Sequence, residues 1–471
     1  MAKTTRIILL VVMITSVACT PASPAAMTPY TTPTSTTIAT STLVPTSTPP
    51  PSPMPTATFT PGPEVGVAPW VRVFAALDIF PWFRERTFSW SPDGQTIAFF
   101  SPEGALWIAR APTFTPQRLA EEMGRQPVWS PDGEQIAFVA SREPEMHADT
   151  IWVVQADGSS LRDLLPGEKA IRSVSSGKSL GPWFDDRTLV FMDACGTACR
   201  TLVTMDVATG EVEGVCSTQS EVSPPVFGAA YDWAPSLRNV VVTTGGGIPQ
   251  IMLLRVFDLT NCHKLLMPTP SEFHAWSSDG KAFLFSHWQW ELGQGDPSPL
   301  IGQVPTLRIW DIIQEEIKWT GPEGGYEGAW SPDGEHLAFF LLGNPRYEGQ
   351  RIIGSDLVPG TPFPLFLVVL DIQTEEILAL VPLGEITDFY DYPFGIWHWF
   401  DQRRPVWSPD GKQLVYWGEE DDLRIMRWDG TNQQRLTEDL DIKETAWSPD
   451  GGRLAIATHD QLWIIERPSI E

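Results

Sequence analysis

A five-residue phrase recurs along this chain and constrains its fold more than any other feature. Trp-Ser-Pro-Asp-Gly begins at Trp90, Trp129, Trp330, Trp407 and Trp447, with a near copy, Trp-Ser-Ser-Asp-Gly, at Trp276. Each copy precedes an alternating apolar stretch, such as TIAFF or LVYW, and a second apolar stretch follows later, such as LWIAR or LRIMRWDGT. Two degenerate units keep the tryptophan, at Trp183 and Trp233, and have Asp-Asp and APSLRN in place of SPDG. The chain is therefore built from eight repeated units.

The spacing of these units indicates the fold. Successive tryptophans lie mostly 39 to 54 residues apart, with one interval of 77 between Trp330 and Trp407. A unit of roughly 40 residues with four short strands is typical of a β-propeller blade, and the period of two argues against helical repeats of similar length. We therefore predict an all-β chain that forms a β-propeller of about eight four-stranded blades, or about seven if one degenerate unit is an insertion.

The phrase W-S-P-D-G-x-x-[IL]-[AV]-[FY], with the later apolar strand ending in Asp, resembles the repeats of the TolB-type propellers with WD-like repeats. The resemblance covers most of residues 84–471. It implies the propeller fold but no particular activity, because propellers serve many unrelated functions. The last unit ends soon after LWIIER, and VRVFAAL (71–77) precedes the first unit. We predict that this N-terminal strand completes the last blade and closes the ring.

The letters SPDG are typical of a hairpin turn rather than of a reactive site. Proline presets φ at the second position of a tight turn, Asp tolerates the third, and Gly supplies a positive φ at the fourth. The strands of a blade alternate in direction, so we expect these turns and the turns after the third strand on one face of the disc. The long insertions then lie on the other face, which we call the long-loop face, and we expect function there.

The N-terminus predicts export. In residues 1–19, Lys3 and Arg6 flank the start of an apolar run (7–14) that is too short for a good spanning helix, as in a secretory signal peptide. The end of this segment resembles a bacterial lipoprotein signal, which implies lipidation of Cys19; the alternative is a thiol within a cleaved leader. Residues 20–66 are rich in Thr, Pro and Ser and predict a disordered tether. A propeller over 67–471 would then be held outside the cytoplasmic membrane, on its outer side or at the cell envelope.

The chain is strongly acidic, since 32 basic and 58 acidic residues give 32 − 58 = −26. This charge argues against nucleic acid and anionic membrane surfaces as partners, or it serves only to keep a large protein soluble. We expect a monomer that touches the membrane only through its lipid. An exported chain with Cys195, Cys199, Cys216 and Cys262 predicts two disulfides, with free thiols and a metal site as the alternatives. We expect no metal and no cofactor.

Three insertions on the long-loop face supply the candidate binding residues, at 286–306, 341–364 and 384–405. The first and third are rich in aromatic side chains beside acids and amides, a combination that binds sugar rings and peptide side chains. The alternative is that these rings form a small core that fastens the long loops to the disc. The predicted ligand-binding residues are Trp288, Trp290, Phe389, Tyr390, Tyr392, Trp397, His398 and Trp399.

Two acidic loops, 141–150 and 418–423, carry oxygen ligands of the kind that Ca²⁺ prefers, but neither has the pattern of a calcium loop. We expect solvated acidic tips there.

Three functions fit these features. The favoured hypothesis is a non-catalytic binding module for a protein, peptide or glycan at the cell envelope. A scaffold for an envelope complex is implied by analogy with the Tol-system propeller. A carbohydrate-active hydrolase could use loop carboxylates such as Asp388 and Asp391. We do not expect a serine hydrolase of the nucleophile-elbow type.

Overall fold

Each tryptophan unit of the sequence folds into one four-stranded antiparallel sheet. The computed structural model describes residues 67–68, 71–79, 87–141, 149–166, 179–194, 200–214, 230–237, 239–244, 250–258, 261–266, 271–288, 305–356, 362–386, 403–418, 422–438 and 440–470. All of them belong to one unit, Thr56–Glu471. Within these ranges the chain forms eight four-stranded sheets, one two-stranded ribbon and no helix. We number the sheets 1 to 8 in the order of their tryptophans.

The first strand of the described chain, β1 (Val73–Asp78), belongs to the last sheet. In sheets 1 to 5 the strands run across the sheet in sequence order. Sheet 1 contains Phe88–Trp90 (β2), Thr96–Phe100 (β3), Leu106–Arg110 (β4) and Thr115–Ala120 (β5); sheet 2 contains Gly124–Trp129 (β6), Gln135–Ser141 (β7), Asp149–Gln155 (β8) and Arg162–Asp163 (β9); sheet 3 contains Ser179–Trp183 (β10), Thr188–Ala194 (β11), Arg200–Asp206 (β12) and Val212–Gly214 (β13); sheet 4 contains Ala230–Trp233 (β14), Asn239–Thr244 (β15), Gln250–Asp258 (β16) and Asn261–Leu266 (β17); sheet 5 contains Ser271–Trp276 (β18), Ala282–Trp288 (β19), Pro305–Asp311 (β20) and Glu316–Glu323 (β21).

Sheet 6 is interrupted by a two-stranded ribbon between its second and third strands. Sheet 6 contains Gly325–Trp330 (β22), His336–Leu342 (β23), Phe363–Asp371 (β26) and Ile377–Ile386 (β27), and the ribbon contains Asn344–Glu348 (β24) and Arg351–Asp356 (β25); sheet 7 contains Val406–Trp407 (β28), Gln413–Trp417 (β29), Leu423–Arg427 (β30) and Gln434–Arg435 (β31); sheet 8 contains Ile442–Trp447 (β32), Arg453–Thr458 (β33), Gln461–Glu466 (β34) and β1.

The second strands form the centre of the core. Every residue of β3 and of β29 is buried, on both faces of its sheet. The alternation seen in the sequence therefore does not mark a solvent-facing side, because each sheet packs against a neighbour on either side. Fully buried rings such as Phe99 and Phe339 each contribute roughly 1.5–3 kcal/mol through removal of apolar area from water.

The repeated phrase forms the turn between the first and second strands, as its letters indicate. In sheet 1 the Ser91 hydroxyl donates to Asp93 Oδ1 (2.6 Å) and accepts from the Thr96 amide (2.9 Å), and Asp93 Oδ1 also accepts from the Gln95 amide (3.0 Å). Gly94 has a φ of 70°, which favours glycine. The hydrogen bond from Ser91 is the main cause that lowers the pKa of Asp93. The serine and the aspartate are thus occupied in holding the turn.

The degenerate units form the same turn with other letters. Ala234 donates its amide to the Asn239 carbonyl (2.9 Å), and Leu237, with a φ of 56°, occupies the place of the glycine. In sheet 3, Asp185 Oδ1 accepts from the amides of Arg187 and Thr188 (2.9 and 2.6 Å). The turn between the first and second strands therefore keeps its backbone geometry in sheets 3 and 4, although the residues SPDG are absent there.

These turns and the turns after the third strand lie on one face. In sheet 1 the Ala111 amide donates to the Gln95 carbonyl (2.8 Å), and in sheet 2 the Ala156 amide donates to the Glu134 carbonyl (2.8 Å). Equivalent bonds recur in sheets 3, 5, 6, 7 and 8. The connections that leave from the opposite ends of the strands, including the ribbon β24–β25, therefore lie on the long-loop face.

In the described part of the chain, six of the eight repeat tryptophans join their sheet to the one before it. First strands of successive sheets contact one another in six of the eight sheet pairs, for example β2 with β6 and β18 with β22. The Trp129 indole N–H donates to the Ser89 carbonyl (3.0 Å), which belongs to the residue just before Trp90 in the preceding sheet. Trp90, Trp183, Trp276, Trp407 and Trp447 make the same bond to the equivalent carbonyl, at 3.0–3.4 Å. The tryptophan is thus a directional link as well as the apolar filler that the sequence predicts.

The predicted closing strand is confirmed. Strand β1 pairs with β34 in antiparallel register, from Val73 opposite Ile465 to Asp78 opposite Gln461. The Arg453 guanidinium of sheet 8 lies over the rings of Phe74 (5.8 Å) and Phe114 (5.3 Å), so it contacts β1 and sheet 1 together. The seam between the last and first sheets is therefore covered by a cation–π contact as well as by strand pairing.

Candidate functional site on the inner wall of sheets 5 to 7

The first strands carry a bulge close to the position three residues before the tryptophan, which we call the minus-three position. Register shifts fall there in β6, β18 and β22. Gln126 and Glu327 occupy the minus-three position in sheets 2 and 6, are buried, and have positive φ values of 55° and 42°. A residue other than glycine seldom has a positive φ. Its occurrence at two equivalent buried positions shows that the repeat keeps this bulged backbone conformation.

Side chains at the minus-three position reach the next sheet around the ring. Gln126 accepts from the Leu180 amide (3.0 Å) and donates to the Ser179 hydroxyl (3.2 Å) in sheet 3. Glu444 of sheet 8 accepts from the Thr87 amide at the start of sheet 1 (3.2 Å). These are contacts from a side chain to backbone or hydroxyl groups, and they carry at most one charge.

Sheets 5 to 7 replace this pattern with a chain of ionisable groups, which we call the polar chain. His274 Nε2 lies 2.6 Å from Ser286 Oγ, and His274 Nδ1 lies 3.3 Å from Glu327 Oε2. Arg404 Nε donates to the same Glu327 oxygen (2.7 Å), and Arg404 Nη1 donates to the His274 carbonyl. Arg404 holds the minus-three position of sheet 7, so its side chain passes sheet 6 to reach sheet 5. The polar chain therefore joins three consecutive sheets.

Burial sets the charge states in the polar chain. The side chains of His274 and Glu327 are 0% and 2% exposed, whereas that of Arg404 is 44% exposed. Burial lowers the pKa of His274 below its ordinary value of 6.5, against the attraction of Glu327. Burial alone would raise the pKa of Glu327, but the charge of Arg404 and the contacts with His274 outweigh it, so this pKa lies below its ordinary value. At neutral pH the polar chain holds one carboxylate, one guanidinium and a neutral imidazole.

Tyr326 packs against the imidazole of the polar chain. The Tyr326 hydroxyl donates to Glu272 Oε2 (2.9 Å), and its ring meets the His274 ring edge to face, with 5.4 Å between centroids. Burial and the nearby Glu272 raise the pKa of Tyr326 well above its ordinary value, so the hydroxyl stays protonated. The imidazole is therefore held by a hydrogen bond at Nε2, by the 3.3 Å contact of Nδ1 with Glu327 and by edge-to-face packing with the Tyr326 ring.

The order Ser286, His274, Glu327 matches the sequence of roles in an acyl-transfer triad, but the surroundings do not suit a nucleophile. Ser286 and His274 are fully buried, and a nucleophile must touch the carbonyl carbon of its substrate. A neutral imidazole with its proton on Nδ1 satisfies both contacts at once: Ser286 donates to Nε2, and Nδ1–H faces Glu327. In this conformation the groups link sheets to one another.

A second serine phrase also proves to be structural. Gly177-Lys178-Ser179-Leu180-Gly181 fits the G-x-S-x-G letters of a nucleophile elbow. An elbow places its serine on a sharp turn between a strand and a helix, whereas Ser179 lies within β10 opposite Met192 and accepts from Gln126. The letters are a coincidence of sequence.

Most of the predicted site residues lie outside the described part of the chain. This holds for Trp290, Phe389, Tyr390, Tyr392, Trp397, His398 and Trp399, and for Cys19, Cys195, Cys199 and Cys216. The backbone of Trp288 ends β19 opposite Pro305, and the backbone of Cys262 lies in β17 opposite Val256. The predicted binding set and disulfides therefore stay predictions.

The two acidic loops are only partly described, and their described aspartates differ from the expected solvated tips. Asp149 is buried and pairs with Arg125 (2.8 Å). Asp422 is buried and accepts from Arg424 (2.9 Å) and Arg435 (2.6 Å). Among the described residues there is no group of three or more metal-ligating side chains, and no helix long and apolar enough to cross a membrane.

The polar chain was not predicted, although the sequence carried a signal for it. Aligning the units on their tryptophans places Glu327, Arg404 and Glu444 at a position where other units have Leu180 or Phe273. The other units carry uncharged residues at this position, and charged residues are seldom buried without a partner, so these three indicate paired groups. The histidines follow no repeat, and His274 is placed beside Glu327 by the bulge rather than by its spacing.

Comparison with known proteins places the chain among the propellers. The Dos1 propeller is 11% identical, with 84% of this chain and 96% of that chain covered and a TM-score of 0.51. The C-terminal WD40 domain of Sif2 is 13% identical, with 86% and 99% covered and a TM-score of 0.51. TolB from Acinetobacter baumannii is 17% identical, with 75% and 78% covered and a TM-score of 0.32. No protein-family model and no curated protein matches the sequence. The fold is a β-propeller.

Proposed function

We propose that this protein is an exported, lipid-anchored β-propeller that acts as a non-catalytic binding module for a protein, peptide or glycan at the cell envelope. The observation that carries the proposal is how the two faces use their polar groups. On the face of the repeated turns, serine and aspartate are occupied in hydrogen bonds that hold the hairpins. The sequence places its long aromatic insertions on the opposite face. A propeller offers a rigid frame on which such loops bind ligands.

The location at the envelope is supported by the sequence of the N-terminus. Residues 1–19 have the pattern of a signal ending at Cys19, and residues 20–66 have the composition of a tether. Replacing Cys19 with serine should move the protein from the membrane fraction to the soluble fraction while leaving the melting temperature of the propeller unchanged. Retention of the serine variant in membranes would contradict a lipid anchor.

Binding by the long-loop face is tested with the full-length chain. A photo-crosslinking amino acid at position 397 should capture envelope proteins or peptidoglycan fragments, and adding Tyr392→Ala with Trp399→Ala should abolish capture at unchanged stability. The matched control is Ile313, which is 69% exposed beside the turns of the opposite face. A crosslinker there should capture nothing. Equal capture from both positions would contradict the proposal, and lost stability in the alanine variant would favour a small core of rings.

A further inference from the structure

The two ends of the polar chain coincide with the edges of two insertions. Ser286 is the first residue of the insertion 286–306, and Arg404 is the next-to-last residue of the insertion 384–405. Ser286 lies in β19, and Arg404 immediately precedes Pro405 and β28. We call these two places the insertion roots. They are separated by more than a hundred positions in sequence, yet only His274 and Glu327 stand between them in space.

We propose that the polar chain is a positioning device that sets the two insertion roots relative to each other, and so sets the geometry of the binding face. The inference rests on the proposed function, because the insertions matter only if they bind. It adds that Ser286, His274, Glu327 and Arg404 are positioning residues for that binding, although none of them need touch the ligand.

The contacts are suited to fixing position. Arg404 is held at two points, by the Glu327 carboxylate through Nε and by the His274 carbonyl through Nη1, which fixes the plane of the guanidinium. The imidazole is held by a hydrogen bond at Nε2 and lies with Nδ1 at 3.3 Å from the Glu327 carboxylate. A buried Glu327 carboxylate without Arg404 would be costly in free energy. The contacts of the polar chain should therefore form together or not at all.

Ordinary cohesion between sheets does not require this arrangement. Sheet 7 is already joined to sheet 6 by the bond from the Trp407 indole to the Ala329 carbonyl (3.1 Å). Sheets 2 and 3 are joined at the same register by the neutral Gln126. The polar chain adds a contact between sheets 7 and 5, from the Arg404 guanidinium to the His274 carbonyl, which passes sheet 6. Only those sheets carry the two insertion roots.

The polar chain also has charged neighbours, which keep Arg404 in place. Besides Glu327, the carboxylates of Asp232 and Glu272 favour the charged guanidinium. Glu272 accepts from Tyr326 on the side of the imidazole. A cation at this position is therefore favoured by carboxylates of sheets 4, 5 and 6, so a neutral replacement loses their attraction.

Hydrogen exchange of the ligand-free, full-length protein tests the inference. Arg404→Gln and Glu327→Gln should speed exchange of peptides covering β19 and residues 403–409 by about tenfold, with peptides of sheets 1 to 3 unchanged. Arg404→Lys is the sharper variant, because an ammonium can pair with Glu327 but cannot also reach the His274 carbonyl. It should keep the global unfolding midpoint near that of the wild type while both root peptides still exchange faster.

The matched control is Asp149→Asn, which breaks the buried pair with Arg125 inside sheet 2. It should speed exchange in sheet 2 alone. Unchanged exchange at both roots in Arg404→Lys and Glu327→Gln would overturn the inference. If the roots exchange faster but crosslinking from position 397 is unchanged, the positioning role stands and the assignment of binding to these insertions fails. The two proposals are therefore distinguishable.

Discussion

Gln126 in sheet 2 and Glu327 in sheet 6 occupy the same position of the repeat and adopt the same strained backbone, yet they hold different things. Gln126 joins its sheet to the next through an amide, with both partners in sheet 3. Glu327 binds a histidine from the sheet before and an arginine from the sheet after. The comparison shows that a side chain at the minus-three position contacts neighbouring sheets in both regions. The residue type at that position decides whether two or three sheets are joined.

The largest difference in the free energy of unfolding should appear when Glu327 loses the arginine with which it pairs. Arg404→Met leaves Glu327 as a buried carboxylate without its main cation, and should lower the free energy of unfolding by about 3–5 kcal/mol. Gln126→Met removes only neutral hydrogen bonds and should cost about 1–2 kcal/mol. Urea denaturation of both variants at pH 7 measures the contrast. Equal losses would mean that the charge in sheet 6 has no special role.

Removing both charges should recover much of that loss. Glu327→Leu combined with Arg404→Met replaces the pair with apolar groups of similar size, and such replacements of buried pairs are often close to neutral. We expect the double variant to be more stable than Arg404→Met alone by about 2 kcal/mol. If it is less stable than the single variant, the loss came from packing and not from the stranded carboxylate.

Acid should weaken sheets 5 to 7 through His274. Burial lowers the pKa of His274, so between about pH 6.5 and the folded value the unfolded chain binds more protons than the folded one. Stability is then present above that window and falls with falling pH, by at most about 1.4 kcal/mol per pH unit. His274→Gln should flatten this slope in urea titrations between pH 7 and pH 5. An unaltered slope in His274→Gln would show that His274 binds the same number of protons in the folded and unfolded states, and would contradict the account.

The smallest effect concerns the tryptophan link, which, among the described residues, sheet 2 makes and sheet 6 does not. Trp129 donates its indole N–H to sheet 1, whereas the indole N–H of Trp330 has no hydrogen-bond partner in the described part of the chain. Trp129→Phe and Trp330→Phe remove similar volume. The first should therefore be less stable than the second by about 1 kcal/mol, which thermal unfolding can resolve.

The sequence predicts the frame well because the frame is built from local chemistry. Pro, Asp and Gly define the turns within a few residues, and the tryptophan recurs at each first strand. The closing strand follows from a unit that lacks its fourth strand. The two degenerate units are also predicted, because each keeps its tryptophan. Their backbone forms the same turn although Asp185 and Leu237 stand where the repeat has other residues.

The polar chain could not be predicted in the same way. Arg404 and the His274 carbonyl are 130 residues apart, and their contact depends on the order of the sheets around the ring. A bulge in β18 shifts the register at His274, which no periodicity reveals. The link between Trp indoles and carbonyls of the preceding sheet was missed for a similar reason, because the sequence shows the size of a side chain but not where its N–H points.

The most direct test is a double-mutant cycle between the two ends of the polar chain, Ser286→Ala and Arg404→Met. These residues share no direct contact, so independent sites would give additive losses within about 0.3–0.5 kcal/mol. If the chain acts as one unit through His274 and Glu327, the coupling free energy from urea denaturation should be about 1 kcal/mol or more. Additive losses would contradict the claim that sheets 5, 6 and 7 are held as a single positioning element.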